Sequence, residues 1–211
     1  MALGKFIVLE GIDGSGKTTQ ARLLEDRLSQ LGVKTLLTRE PGGTEIGEKI
    51  RSFAFSNRFN PLMDMCLMYT ARMFHLMQLV RPALECGTWV ICDRFVTSTW
   101  AYQSNSVGRP EGVACRILHD AEDSLFRSGL PMPDLEIFLH LDIATSLDRL
   151  KTRSTSADRF EENLSLVLLG YQNRYSSFPP AYPIEVVDAR ANIAHVTDSL
   201  VDVIIRSCLE S

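Results

Sequence analysis

The sequence predicts an α/β fold: three layers, in which a mostly parallel, five-stranded sheet is covered by helices on both faces. Two observations lead there. Short apolar runs of strand length are spaced along 211 residues, with longer segments of helical period between them. The runs are apolar almost throughout rather than alternating, as in strands buried on both faces. Strands separated by helices need crossover connections, which makes the sheet largely parallel.

In chain order, Phe6-Ile7-Val8-Leu9 is the first run, rich in β-branched residues. Thr18 to Leu31 follows as a helix. Leu24, Leu28 and Leu31 fall at i, i+4 and i+7, and Gly32 stands where a helix stops. Val33 to Thr38 reads as a second strand. Leu62 to Glu85 is long and helical in composition, and Pro82, lacking an N–H, is expected to kink or restart it. Trp89-Val90-Ile91-Cys92 is a third strand ending at Asp93. Leu135 to Leu141 is a fourth, introduced by Pro131 and Pro133, and Ile184 to Val187 a fifth. Ile193, Val196, Leu200 and Ile204 trace one face of a closing helix. No repeat or domain boundary interrupts the series. A single domain over 1–211 is expected, with a short lid at about 149–160 around the polar stretch Lys151 to Ala157, and an ordered connection from Phe178 to Pro183.

Composition removes several function classes. The balance of 22 basic against 26 acidic residues, net −4, argues against a chain built to coat nucleic acid, and no basic–aromatic stripe is present. No run of about 18 uncharged apolar residues offers a membrane span. The first ten residues lack the long apolar region and cleavage site of a signal peptide. Five cysteines form no CxxC pair and four histidines lack metal-ligand spacing. A structural zinc is therefore not expected, and a cytoplasmic, reducing location fits better than an oxidising one.

Gly11-Ile12-Asp13-Gly14-Ser15-Gly16-Lys17-Thr18 satisfies G-x-x-x-x-G-K-[ST], directly after a buried strand and directly before a helix. Glycines let successive N–H groups turn inward around an anion, and the helix N-terminus adds its partial positive charge. Lys17 can reach the outer phosphates and the Thr18 hydroxyl can take a Mg²⁺ position. The fold class narrows to a three-layer P-loop NTPase fold binding a nucleoside triphosphate. None of the six asparagines precedes Lys, so the N-K-x-D guanine-reading run is absent and a GTPase is disfavoured.

Asp93-Arg94 closes the third strand, so both side chains emerge at the carboxyl edge of the sheet beside the cradle. A carboxylate there suits a Mg²⁺ water shell, and an arginine suits a pair of phosphate oxygens. Asp13, a carboxylate among phosphates, needs an offset from an arginine or from a sugar hydroxyl. Arg149, Lys151, Arg153 and Arg159 cluster around the expected lid, where arginines would neutralise charge moving between phosphates.

The motifs then add up to a resemblance. E-G-x-x-G-S-G-K-T-T (Glu10 to Thr19), T-R-E-P-G-G-T (Thr38 to Thr44), I-R-S (Ile50 to Ser52) and Y-T-A-R (Tyr69 to Arg72) occur in that order. R-P-A-L (Arg81 to Leu84), G-T-W-V-I-C-D-R-F (Gly87 to Phe95), S-T-x-A-Y-Q (Ser98 to Gln103), P-D-L (Pro133 to Leu135) and D-R-F-E (Asp158 to Glu161) follow. Across essentially its full length the chain resembles the bacterial thymidylate kinases, of the nucleoside monophosphate kinase group.

The resemblance implies transfer of the γ-phosphoryl group of ATP, with Mg²⁺, to dTMP, for dTTP synthesis. A kinase for another deoxynucleoside monophosphate or a deoxynucleoside is the alternative, and a nucleotide-binding regulator without chemistry the more distant one. The resemblance implies that Gly11, Ile12, Asp13, Gly14, Ser15, Gly16, Lys17, Thr18, Thr19 and Arg149 hold ATP, with Thr18 and Asp93 toward the metal. Asp13 would hold the acceptor 3′-hydroxyl, Arg72 and Ser98 the thymine edge, and Tyr102 the deoxyribose face, with Gln103 beside the base. Arg51 and Arg94 would hold the acceptor phosphate, with Arg39 near them. Lys17, Arg94 and Arg153 would be catalytic; Arg149 is the second choice for the lid arginine. The turn before Pro41 admits a cis bond.

Two positions depart from the family pattern. Met68 stands where an aromatic often stacks on the base, a thioether covering the ring face instead. Ser104 to Arg109 replaces a glycine-rich continuation. Relatives are homodimers, and Met65, Met68, Phe74 and Met77 are candidates either for such an interface or for the core.

Overall fold

The computed structural model describes residues 3–104, 113–152 and 164–209. Strands β1 (Phe6–Glu10), β2 (Thr35–Arg39), β3 (Trp89–Asp93), β4 (Leu135–His140) and β5 (Ile184–Asp188) form one sheet in the order β2-β3-β1-β4-β5. Every neighbouring pair is parallel, as the strand–helix alternation predicts. The helices are α1 (Lys17–Gln30), α2 (Glu45–Ser56), α3 (Pro61–His75), α4 (Arg81–Glu85), α5 (Val96–Gln103), α6 (Val113–Arg127), α7 (Ile143–Lys151), α8 (Leu164–Ser177) and α9 (Ile193–Ile204).

β1 is central and wholly buried. Successive side chains in a strand point to opposite faces, so both layers draw on it. Ile7 and Leu9 join Leu24 and Leu28 of α1 and Leu200 and Ile204 of α9; Phe6 and Val8 join Met65 of α3, Trp100 of α5 and Leu118 of α6. This double demand explains the unbroken apolar run. Each fully buried side chain of this size contributes roughly 1.5–3 kcal/mol, so a charge at Val8 or Leu9 would unseat a layer.

Three expectations are refined. Leu31 is the residue that ends α1 and is exposed, so the buried apolar stripe is Ala21, Leu24 and Leu28. Ile193 is exposed at the start of α9, leaving Val196, Leu200 and Ile204 as its inner face. The 62–85 segment breaks before its proline: α3 ends at His75, a π-helical turn spans Leu76–Val80, and α4 carries Pro82 in its first turn. Pro82 lacks an N–H for the helical ladder, and the irregularity directly precedes it. Met65 and Met68 are buried, whereas Met77 is exposed.

The sheet order positions the site. Leu9 pairs with Asp93 in register, so the loop after β1 and the residues after β3 leave the same edge side by side. Beyond the carboxyl ends of the strands is where open α/β sheets bind ligands.

Candidate active site

The cradle is built by backbone first. Gly14 has φ 80°, and a Cβ there would come within 2.9 Å of the Ser146 carbonyl oxygen, so glycine alone lets the loop lie under α7. Two contacts from α7 fix it: Ser146 Oγ donates to the Asp13 carbonyl (2.6 Å) and Arg149 to that of Gly14 (3.3 Å). Arg149 also donates to the Ala189 carbonyl at 2.9 Å, tying the cradle to the residue after β5. Gly16 precedes α1 without a capping side chain, which leaves the first-turn N–H groups for an anion.

Lys17 is buried and donates to the carbonyls of Gly11 (2.8 Å) and Ile12 (2.9 Å). Burial and then the Arg94 charge lower its pKa to about 8, against the pull of Asp13, Asp93 and Glu10. Beside it Thr18 Oγ1 donates to Asp93 Oδ2 at 2.5 Å, while Asp93 Oδ1 is buried without a hydrogen-bond partner among the described residues. That spare carboxylate oxygen next to a hydroxyl is the donor chemistry Mg²⁺ takes, so the pair fits the ion. Among the described residues no cluster of three or more His, Cys, Asp or Glu forms a metal cage.

Asp13 receives the offset its position demands. Arg94 is ion-paired with it and the Tyr102 hydroxyl donates to it at 2.7 Å. Burial would raise the Asp13 carboxyl; Arg94, Lys17 and Tyr102 outweigh it and bring the pKa down to about 2. Arg94 itself has φ 79°, a left-handed conformation uncommon outside glycine. Its guanidinium lies 5.2 Å from the Tyr102 ring centroid.

A second concavity shares Asp13 and Arg94 with the cradle cavity. It brings together Arg51 of α2, Met68 and Arg72 of α3, and Ser98, Tyr102 and Gln103 of α5, all among the residues that the sequence assigns to the acceptor.

 Arg39 lies instead in the cradle cavity, paired with Glu48 at 3.0 Å. Arg51 borders both cavities and donates to the Pro41 carbonyl at 3.0 Å.

The floor of this concavity is a buried charge chain that the sequence reading did not assemble. Glu40 precedes Pro41 through a cis bond and is 3% exposed. It accepts from Arg72 Nε at 2.7 Å and is bonded to His75 Nδ1 at 2.8 Å, while His75 Nε2 meets the Thr38 hydroxyl at 2.8 Å. Burial would raise the Glu40 carboxyl, but Arg72 and His75 hold it below its ordinary value. Gly43 (φ 77°) closes over this chain, where a Cβ would come within 2.7 Å of the His75 ring. Thr99, not Ser98, supplies the hydroxyl beside Arg72, at 3.0 Å from Nη2. Ser98 lines the cavity but directs its hydroxyl to Glu10 at 2.7 Å.

The remaining expected residues divide. Ile12 is packed into the core, so only its backbone faces the cradle turn, and Thr19 is an exposed residue of α1. Lys151 ends α7 rather than opening a loop. Arg153 and Arg159, most of the 149–160 lid and residues 105–109 lie outside the described residues.

Comparison with known proteins bears on this geometry. The thymidylate kinase family model matches residues 9–200. The chain belongs to the thymidylate kinase family. A thymidylate kinase of Psychrobacter sp. (strain PRwf-1) is 38% identical over 207 residues, covering 95% of this chain and 96% of that protein. Those of Methylococcus capsulatus (strain Bath) and Nitrosomonas europaea are each 36% identical, covering 95% and 97% of this chain and 94% of each relative. Glu40 and Thr99 fall inside two of the short words that carried the resemblance to thymidylate kinases. Their burial beside arginine was the signal missed: an acidic residue in a turn can be a counter-ion as readily as a surface group.

Proposed function

We propose that this thymidylate kinase family member transfers the γ-phosphoryl group of ATP to dTMP, giving ADP and dTDP. One observation carries the reading: the cradle cavity and the second concavity abut, and Asp13, Glu40, Arg51 and Arg94 border both. Two anionic ligands seated there would meet across cationic side chains. The acceptor phosphate oxygen is already anionic, so its attack on the γ-phosphorus needs no strong base. The bond from that phosphorus to the bridging oxygen breaks, and ADP leaves. In-line placement and charge neutralisation by Lys17 and Arg94 then carry the catalysis. Mg²⁺, which Thr18 and Asp93 would hold, supplies further charge neutralisation on the phosphates.

On the acceptor side, Asp13 takes the sugar 3′-hydroxyl, Tyr102 lies along the deoxyribose, and Arg51 with Arg94 holds the phosphate. Arg72 Nη1 and Gln103 Oε1 are buried without hydrogen-bond partners among the described residues. A donor and an acceptor left in this state suit the complementary edge of a pyrimidine, and Met68 covers the ring face. Arg153 is the proposed lid arginine, with Arg149 second. The reading includes a homodimer, for which the apolar groove of Met65, Tyr69, Met73 and Leu125 between α3 and α6 offers a face. It also includes a cytoplasmic location, since the five cysteines are free and Cys66 and Cys86 are exposed.

The test is ADP formation with dTMP, dUMP, dCMP, dGMP and thymidine at equal concentration. dTMP is expected to turn over fastest; thymidine faster than dTMP would replace this reading with a nucleoside kinase.

A further inference from the structure

Tyr171, on α8, belongs to none of the motifs and lines neither cavity, but its hydroxyl meets Arg94, which borders both. It is fully buried, with its ring 5.1 Å from that of Phe138. Its hydroxyl lies 2.8 Å from Glu10 Oε2, 3.0 Å from Ser98 Oγ, and 3.2 Å from both Arg94 Nη1 and the Gly11 carbonyl. A phenol has one proton and two lone pairs. The shortest contact takes the proton to Glu10, which leaves a lone pair to accept from Arg94 Nη1. Burial and the neighbouring Glu10 push the phenol's pKa well above its usual value, so it stays a donor throughout the working range.

Glu10 is also fully buried and anchored to the backbone, accepting from the N–H groups of Phe95 (2.8 Å) and Ser98 (3.0 Å). Ser98 Oγ repeats the pattern of Tyr171, donating to Glu10 Oε2 at 2.7 Å and accepting from Arg94 Nη1 at 3.0 Å. Two hydroxyls thus relay the fixed carboxylate to one guanidinium nitrogen, while Asp13 pairs with the other. Hydroxyls orient the guanidinium without cancelling its charge, which phosphate needs. Tyr175, one turn along α8, bonds Glu136 at 2.9 Å instead and supplies a comparison within the same helix.

We propose that Tyr171 is a positioning residue for phosphoryl transfer: its buried hydroxyl, fixed by Glu10, aims the Arg94 guanidinium at the junction of the two cavities. The inference rests on the phosphoryl-transfer reading above. Its effect falls on kcat, because an arginine that is misaimed still attracts both anions but neutralises the moving charge less well.

The experiment measures kcat and both KM values for the unaltered protein, Tyr171→Phe and Tyr175→Phe, with melting temperatures. Tyr171→Phe should lower kcat about tenfold, the scale of one hydrogen bond, with both KM values within about twofold of the unaltered protein. Tyr175→Phe should change melting temperature but hold kcat within about twofold, since its hydroxyl does not touch Arg94. A folded Tyr171→Phe that keeps its kcat, or an equal kcat loss in Tyr175→Phe, would overturn the proposal. An unaltered protein without activity would instead overturn the phosphoryl-transfer reading. If Tyr171→Phe does not fold, nitrogen-15 spectra of the unaltered protein decide: separate, slowly exchanging Arg94 Nη signals support the anchor, and averaged signals refute it.

Discussion

Glu40→Gln tests whether the charge chain beneath the acceptor cavity acts as the geometry requires. The substitution keeps the shape and one acceptor oxygen but removes the charge. Arg72 is 2% exposed and has Glu40 as its ion-pair partner at 2.7 Å. Its guanidinium sits 4.9 Å and 5.1 Å from the ring centroids of Tyr69 and Phe95. Without Glu40 that charge is buried among rings and the Thr99 hydroxyl, and breaking a buried pair from one side costs roughly 3–5 kcal/mol. Both ring contacts exist in the unaltered protein and offset nothing, whereas the Gln carbonyl keeps one hydrogen bond worth about 1 kcal/mol, so a net loss of about 2–4 kcal/mol is expected. At roughly 2–4 °C per kcal/mol for a chain of this size, the melting temperature should fall by about 4–16 °C.

The loss should depend on pH. Glu40 is held below its ordinary value, so its contribution is present above the unfolded carboxyl range and fades as acid carries pH down through the lowered folded value. Urea titrations at pH 7 measure the cost, and steady-state kinetics should show KM rising for dTMP but not for ATP. A double replacement, Glu40→Leu with Arg72→Met, should be more stable than Glu40→Gln alone, because it leaves no unpaired charge. Glu40→Gln within about 0.5 kcal/mol of the parent, the size of an ordinary surface change, with KM for dTMP unchanged, would refute the reasoning.

Lys17→Ala should reduce kcat by roughly 10²–10³; a rate within about threefold of the parent would remove the cradle from the mechanism. Because burial and Arg94 lower Lys17 to about 8, kcat/KM for ATP should decline above that pH as the free protein loses the ammonium charge. A profile flat well into alkaline pH would contradict this. Burial and then Glu10 push the Glu136 carboxyl up to about 8. The unfolded chain therefore ionises first, and stability contributed by this group is greatest below the ordinary carboxyl value and falls as pH rises toward 8. Glu136→Gln should gain on the parent in urea midpoint between pH 5 and pH 8, and an unchanged gap would sink the assignment.

Much of the scaffold was legible because of double burial. β1, β3 and β4 are flanked on both faces, so their sequences carry no polar alternation and read as strands. Helices α2, α5, α6, α7 and α8 were not read from the sequence, for different reasons. α5, Val96–Gln103, is short, rich in β-branched residues and buried on most sides, so no polar face marks its period. In α8, exposed Leu166 and Leu169 stand among buried Leu164, Val167 and Tyr171, which blurs the stripe. The P-loop could be read whole because its residues are contiguous and each has a local job. The Glu40–His75 and Glu10–Tyr171 contacts join residues 35 and 161 positions apart. Nothing local announces such a pairing; it exists only once the sheet has set its neighbours.

The two cavities differ in which parts of the chain build their walls. α3 and α5 carry much of the pyrimidine side, the loop after β1 with α1 and β2 carries the triphosphate side, and few residues serve both. Changes at Met68 or Gln103 can therefore alter which nucleotide is accepted while the transfer machinery stays as it is. At Arg94 and Asp13 no such independence exists: a replacement there alters preference and turnover together, so drift in selectivity should be confined to the helices.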